Sequence, residues 1–427
     1  MPLNIRPLLK TLVRHLRLWR FRHSTRFAPL PKLTGIAVQS AVKTTPIPPR
    51  DDVLGVNLYG LVSAHLGIGE AARLYAKALI ENGIRCSIID VALNVPHARS
   101  FKVDADSAAP LGMYAARVNL VFVNPDYFGE IEKQLAVGEN GARLYTIGFW
   151  FWELDVVPDA WDTCINAVDE IWVASSFIEK AFRKKTTRPV RLIPPPLPRQ
   201  DSLPLAQRDA FGLRAKAFVF LCSFDYHSSI HRKNPKAVID AFLLAFPAKT
   251  ENVQLIIKSS NARYYLDEAL ALLRHAKSDS RIMLRDGDLS SDQMRALQAS
   301  ADAYVSLHRS EGFGLGIAEM MSMGKPVIAT AWSGNLDFMD DSNSFLVVGL
   351  EVPVPAGQYP HPEGAHWAEP DVYAASNIMR ALVSNPAAAG MIGENAKASV
   401  QKLSESSSAS AMVDELKRIG GLRCREC

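Results

Sequence analysis

Three glycines at alternate positions, Gly312, Gly314 and Gly316, restrict what the apolar run around them can become. Residues 303–307 have the length and apolarity of a buried strand, and 315–323 read as a helix, so strand, glycine turn and helix start follow one another directly. Without a Cβ in the turn, backbone N–H groups at the helix N-terminus can lie bare against an anionic ligand. Two carboxylates bracket the turn: Glu311 at the strand's exit and Glu319 over a turn further in. Carboxylates accept paired hydrogen bonds from the vicinal hydroxyls of a sugar or a ribose. A phosphate cradle at Gly312, Phe313 and Gly314 beside two diol readers describes a nucleotide-sugar site. The plainer alternative is a helix start with acids placed for the dipole and glycines for packing.

Glu311 and Glu319 stand at an E-x7-E spacing, and the stretch continues through the E-G-F-G core to M-G-K-P-V-I-A-T at 323–330. In this it resembles the retaining glycosyltransferases of family 4, which have the GT-B fold. W-E-L at 152–154, followed by D-E-I-W-V-A-S at 169–175, is similar to one bacterial subgroup of that family. The resemblance spans residues 53–418, closely in the second half and loosely in the first. It implies an α/β chain of GT-B architecture: two Rossmann-like parallel-sheet domains facing across a cleft, with C-terminal helices crossing back to the first domain.

A chain of 427 residues exceeds what one core usually supports, which independently predicts two domains. The net charge of +4 is unevenly spread, because residues 1–50 hold ten Lys or Arg and no Asp or Glu. Within that segment Leu8, Leu12, Leu16 and Trp19 share one helical stripe opposite Lys10, Arg14 and Arg17. Residues 5–22 thus suit contact with an anionic membrane surface, and equally a basic arm or a helix docked on the body. No apolar run is long enough to span a bilayer, and the basic residues interrupt what would be a signal core. The expectation is a cytoplasmic chain, peripheral on the inner face of the membrane if the stripe binds lipid. Five cysteines fit a reducing compartment, and the terminal pair Cys424 and Cys427 lacks nearby partners for a zinc site. Nothing in the composition calls for nucleic acid.

The sequence divides into a basic extension and linker over 1–50, a first Rossmann-like, acceptor-side domain over 51–198, a nucleotide-sugar domain over 199–390, and C-terminal helices and tail over 391–427. The proline run at 194–198 marks the hinge. Near the start of the first domain, Gly67-Ile-Gly-Glu-Ala-Ala also fits a dinucleotide fingerprint, with Asp90 at the distance for a ribose diol. A nicotinamide-dependent oxidoreductase is therefore a rival, although residues 60–66 lengthen the loop before the first glycine. The resemblance instead assigns Gly67 and Gly69, with His65 as a further contact, to the donor phosphates and acceptor. Trp150 and Trp152 suit stacking on sugar faces or filling a core, and Glu153 suits a hydroxyl.

In the second domain, Arg232 and Lys233 precede Pro235 at a predicted helix start, where free cations oppose the dipole and a bound anion resolves the conflict. The resemblance assigns such a basic pair to the donor diphosphate. Lys233 matches the family's lysine; the family's arginine lies earlier, where this chain has Asp225, which leaves Arg232 as the substitute. The D-G-D run at 286–288 reads as turn chemistry before a helix capped by Ser290. The expected reaction is metal-independent hexosyl transfer from a UDP- or GDP-sugar, used as substrate with no further cofactor, to a saccharide or lipid-linked saccharide. Glu311, Lys233 and Arg232 would serve catalysis; Glu319, Gly312, Phe313, Gly314, Gly67 and Gly69 would hold the donor. A sugar epimerase on the same fold and a non-catalytic sugar-binding scaffold are the other readings.

Overall fold

The computed structural model describes residues 54–64, 66–93, 116–138, 141–197, 207–403 and 405–423. The basic stripe at 5–22, His65, and Cys424 and Cys427 lie outside them. Strands β1 (Gly55–Gly60), β2 (Cys86–Asp90), β3 (Ala116–Phe122), β4 (Tyr145–Phe149), β5 (Glu170–Val173) and β6 (Val190–Leu192) form one sheet in the order β2-β1-β3-β4-β5-β6. All its pairings are parallel. Parallel neighbours need crossover connections, and helices on both faces leave the strands buried twice over. That explains their near-continuous apolar runs.

A second sheet holds β7 (Phe218–Asp225), β8 (Val253–Ser260), β9 (Ile282–Asp286), β10 (Ala303–Ser306), β11 (Val327–Thr330) and β12 (Phe345–Val347) in the order β12-β11-β10-β7-β8-β9. It too is wholly parallel. The chain starts in the middle at β7, winds outward to β9, then returns to the other side at β10. Such a reversal opens a crevice at the carboxyl ends of the two central strands, here β7 and β10. The first sheet reverses between β1 and β3, and the two crevices face each other.

Packing within the first sheet decides the aromatic question. Trp150 is fully buried against Phe128 and Phe182, and Trp152 packs on Trp161 with its indole N–H donated to the Val156 carbonyl at 2.7 Å. Both rings fill the core. Asn124 exchanges two hydrogen bonds with the Phe151 backbone at 2.9 and 3.0 Å, which fixes the tips of β3 and β4 side by side.

The C-terminal helices do cross back. Glu170 has no exposed surface, yet it accepts hydrogen bonds from the Tyr145 hydroxyl and the Trp172 indole, each at 2.9 Å, and from Arg418 of helix Glu405–Arg423. A buried carboxylate needs such partners, so this one clamps the last helix to the first sheet. Among the described residues, no helix is long and apolar enough to cross a membrane.

The proline-rich insertion is not a free loop. β13 (Gly349–Pro353) and β14 (His366–Pro370) pair antiparallel outside both sheets. Residues 354–365 form their connection, which reaches the first domain. Tyr359 donates to Glu153 at 2.6 Å, His361 Nε2 lies 3.2 Å from Asp126, and the His366 N–H donates to Asp155 at 2.8 Å.

Candidate active site

A cleft of about 1010 Å³ lies between the two crevices. Its foot is Glu311. The strand β10 ends at Ser306, and the chain beyond it is held by buried polar contacts: His308 has no exposed surface, with Nδ1 3.0 Å from Ser306 Oγ and Nε2 3.2 Å from Asn335 Oδ1. Burial pushes the His308 imidazole down, against the raising effect of the Glu311 charge. The Glu311 N–H donates to Ser333 Oγ at 2.8 Å, and the Gly334 N–H donates to the Glu311 carbonyl at 3.0 Å. Gly334 must lack a side chain, since an ideal Cβ would stand 2.1 Å from the Gly312 carbonyl.

The Glu311 carboxylate is 7% exposed and takes hydrogen bonds from Lys233 at 2.5 Å and from Arg232 at 3.1 Å. Burial alone would raise its pKa; Lys233 and Arg232, with a smaller contribution from His308, overcome that and hold the carboxyl at about 2. The basic pair precedes the helix that starts at Pro235, as the sequence suggests, with a further turn before it. Residues Ile230–Lys233 form a one-turn helix of their own, Asn234 turns the chain at φ 49°, and only then does helix Pro235–Ala245 begin. Arg232 and Lys233 therefore end one short helix just before the next begins, and a separate contact places them: the Arg309 N–H donates to the Arg232 carbonyl at 2.7 Å. Arg232 is 3% exposed and fully engaged, donating to the carbonyls of Ser228 at 3.1 Å and Ser310 at 2.7 Å and lying 3.6 Å from Glu153. Lys233 keeps partial exposure to the cleft.

Glu319 lies on helix Leu315–Ser322, half-buried on the cleft wall. Its only hydrogen-bond donor among the described residues is Gln298 Nε2, at 2.7 Å. Burial, helped by the negative charge of Glu70 on the first domain, raises the carboxyl to about 7 against the lowering effects of Gln298 and Arg295.

The glycines divide by role. Gly314 adopts φ 96°, a left-handed conformation open to glycine, and caps a helix whose first hydrogen bond is made by the Ile317 N–H to the Gly314 carbonyl at 3.0 Å, ahead of which the Leu315 and Gly316 N–H groups stand at the helix N-terminus. Gly312 lines the cleft but also abuts the first domain: its carbonyl accepts from Ser175 Oγ at 2.5 Å, and a Cβ there would stand 3.1 Å from the Trp152 carbonyl. The Phe313 ring packs on Phe338 at 4.9 Å, so this residue reaches the cleft from within the core. Gly67 lines the cleft with open space where a Cβ would be. Gly69 does not line the cleft. It is buried, and its bare Cα lets the helix Gly67–Glu81 pack onto the Leu61 and Ala64 carbonyls, 2.5 and 2.8 Å from an ideal Cβ.

Lys258, Gln298 and Tyr359 also line the cleft, although sequence reasoning passed over them. Lys258 left a signal, a lone cation inside the apolar run V-Q-L-I-I-K. Gln298 and Tyr359 left none. Asp155, Glu351 and His366 bring candidate metal-ligand atoms within 4.8 Å of one another at the domain seam, but none of the three lines the cleft. Asp286 accepts from Ser259 Oγ at 2.8 Å, and Ser290 and Gln293 form a reciprocal cap on helix Ser291–Ser300.

Two facing parallel sheets, a cleft across their carboxyl ends and a last helix returning to the first sheet define a GT-B fold. Residues 215–353 match the family described as Glycosyl transferases group 1, about a third of the chain, and with the fold this supports a GT-B glycosyltransferase. No curated protein sequence matches the chain. Solved structures of similar fold include sucrose-phosphate synthase from Thermosynechococcus elongatus, at TM-score 0.62 and 17% identity, covering 86% of this chain and 100% of that one. HepE from Anabaena, in complex with UDP and glucose, aligns at TM-score 0.60 and 14% identity over 85% of this chain and 99% of its own. A glycosyltransferase from Rickettsia africae aligns at TM-score 0.59 and 15% identity over 86% and 98%.

Proposed function

We propose that this chain is a retaining hexosyltransferase that uses a UDP- or GDP-sugar and a saccharide or lipid-linked saccharide acceptor. The observation that carries the reading is the ionised Glu311, gripped by Lys233 at the foot of a cleft that Glu319 also lines. In the reaction the anomeric C–O bond to the diphosphate breaks and its electron pair stays on the phosphate oxygen. The acceptor hydroxyl attacks from the same face and gives its proton to that oxygen, so no protein base is required. Lys233 and the N–H groups of the turn at Gly314 neutralise the growing charge, in place of a bound metal. Arg232 acts through Glu311, whose carboxylate it holds in place to meet the sugar, while Glu319 takes the ribose. The lipid-linked and membrane-surface part of the proposal rests on the basic stripe at 5–22 alone.

Proton NMR of the full chain with UDP- and GDP-sugars and a panel of saccharide acceptors tests this. The expected result is release of the nucleoside diphosphate with a product that keeps the donor's anomeric configuration. Inversion would remove the mechanism, and binding of NAD(H) without binding of any nucleotide sugar would favour the oxidoreductase. Sugar isomerisation without acceptor would identify an epimerase.

A further inference from the structure

Charge around the cleft is nearly cancelled before any ligand arrives: its lining carries six carboxylates against five Lys or Arg. A nucleoside diphosphate brings at least two more negative charges, so binding depends on which cations are uncommitted. Arg73 is paired with Glu70, Arg295 with Asp292, and Arg232 and Lys233 with Glu311. Lys258 is different. Among the described residues no carboxylate lies within ion-pair distance of it, and it makes no hydrogen bond.

Its position is set by the sheet. Lys258 is the register partner of Ser223 on β7, and Ser260 that of Asp225; all four line the cleft at the carboxyl ends of β7 and β8. Burial weakens the hold of Lys258 on its proton, and the charges of Asp225, Asp288 and Asp286 oppose this without forming an ion pair. Asp225 is already occupied: both of its oxygens accept from Asn261 Nδ2, at 3.0 and 2.9 Å, and Oδ1 also accepts from the His227 N–H at 2.8 Å. A strongly hydrated ammonium on a half-buried side chain, with no acceptor on the protein, is poorly satisfied, and an anion in the cleft would relieve it.

We infer that Lys258 is an anion-binding residue of the cleft, its ammonium taking a phosphate oxygen of the nucleoside diphosphate. The inference rests on the nucleotide-sugar reading and adds to it a second cation, one strand away from Lys233 and not neutralised by Glu311. The competing role is structural, with Lys258 merely offsetting Asp225 and Asp288.

Isothermal titration of the full chain with UDP, GDP, uridine and guanosine, on wild type, Lys258→Met and Lys258→Arg, separates these. Lys258→Met should weaken the bound diphosphate roughly tenfold to a hundredfold, the worth of one charge-assisted hydrogen bond, and the matching nucleoside less than about threefold. Lys258→Arg should recover part of the loss, and the unliganded Met variant should melt no lower than wild type. Unchanged diphosphate affinity in Lys258→Met overturns the inference alone, as does an equal loss for nucleoside and diphosphate or a lower melting point of the unliganded variant. A wild type that binds neither diphosphate overturns the nucleotide-sugar reading with it.

Discussion

The foot of the cleft and its wall each present a glutamate from the same stretch of chain, in opposite electrostatic states. At the foot, Glu311 is the more deeply buried, yet it is held ionised at about 2 because two cations reach it. On the wall, Glu319 retains more exposure, yet it is raised to about 7 because an amide is its only donor and Glu70 faces it from the other domain. Burial pushes both the same way; the partners decide the outcome. A permanently charged carboxylate beside Lys233 suits a fixed sugar anchor. One poised near neutrality suits a reader that ionises as its ligand's hydroxyls arrive.

The largest effect should come from breaking the foot. Glu311→Gln leaves the half-buried Lys233 without its counter-charge and the buried Arg232 with Glu153 alone, which should cost about 3 kcal/mol of stability at pH 7 and abolish transfer. The sign follows from the depressed pKa. Glu311 stabilises the fold above its unfolded value near 4.5, and that contribution is lost as pH falls through about 2. Urea unfolding should therefore show the gap between wild type and variant closing as pH drops from 5 to 2. A gap that stays constant would mean the ion pairs do not set the carboxyl's state.

Glu319→Gln should behave oppositely. A carboxyl raised to about 7 contributes stability that is complete below 4.5 and lost as pH rises through 7. The amide variant escapes that loss, so it should match wild type at pH 5 and exceed it by roughly 1–2 kcal/mol at pH 8, a figure reduced for the partial exposure of the site. Its affinity for the nucleoside diphosphate should nevertheless fall, because an amide cannot accept both hydroxyls. Parallel stability curves across this range would erase the contrast between the two acids.

Much of this was legible in the chain. The glycine turn and both carboxylates line one cleft, because a strand exit and a helix start adjacent in sequence stay adjacent in space, and Lys233 joins them from the chain after the neighbouring strand β7. The parallel strands also announced themselves, since burial on both faces writes unbroken apolar runs. What escaped sequence reasoning depends on contacts between distant segments. Trp150 and Trp152 could equally have met a sugar, and only the packing of helix Ser176–Lys185 and of Trp161 settled them into the core. Gly69 matched a nucleotide fingerprint, yet serves close packing onto Leu61 and Ala64. Tyr359 reaches Glu153 across 206 positions of sequence, a pairing that no local pattern encodes.

The smallest effect probes the distance between the two walls. Glu70 is on the first domain and Glu319 on the second, and the repulsion between them is one reason the latter is raised. Glu70→Gln should lower the Glu319 midpoint by a few tenths of a pH unit, read from carbon-13 NMR of the labelled carboxyl. Freed from its ion pair with Glu70, Arg73 would act in the same direction, so the two consequences of the substitution cannot cancel. The shift should shrink in 0.5 M salt, because the interaction crosses a cleft open to water. A midpoint that ignores both the substitution and the salt would show that Glu319 owes its state to its own domain alone. The contrast with Glu311 would then survive as a local property of the wall, without the first domain's participation.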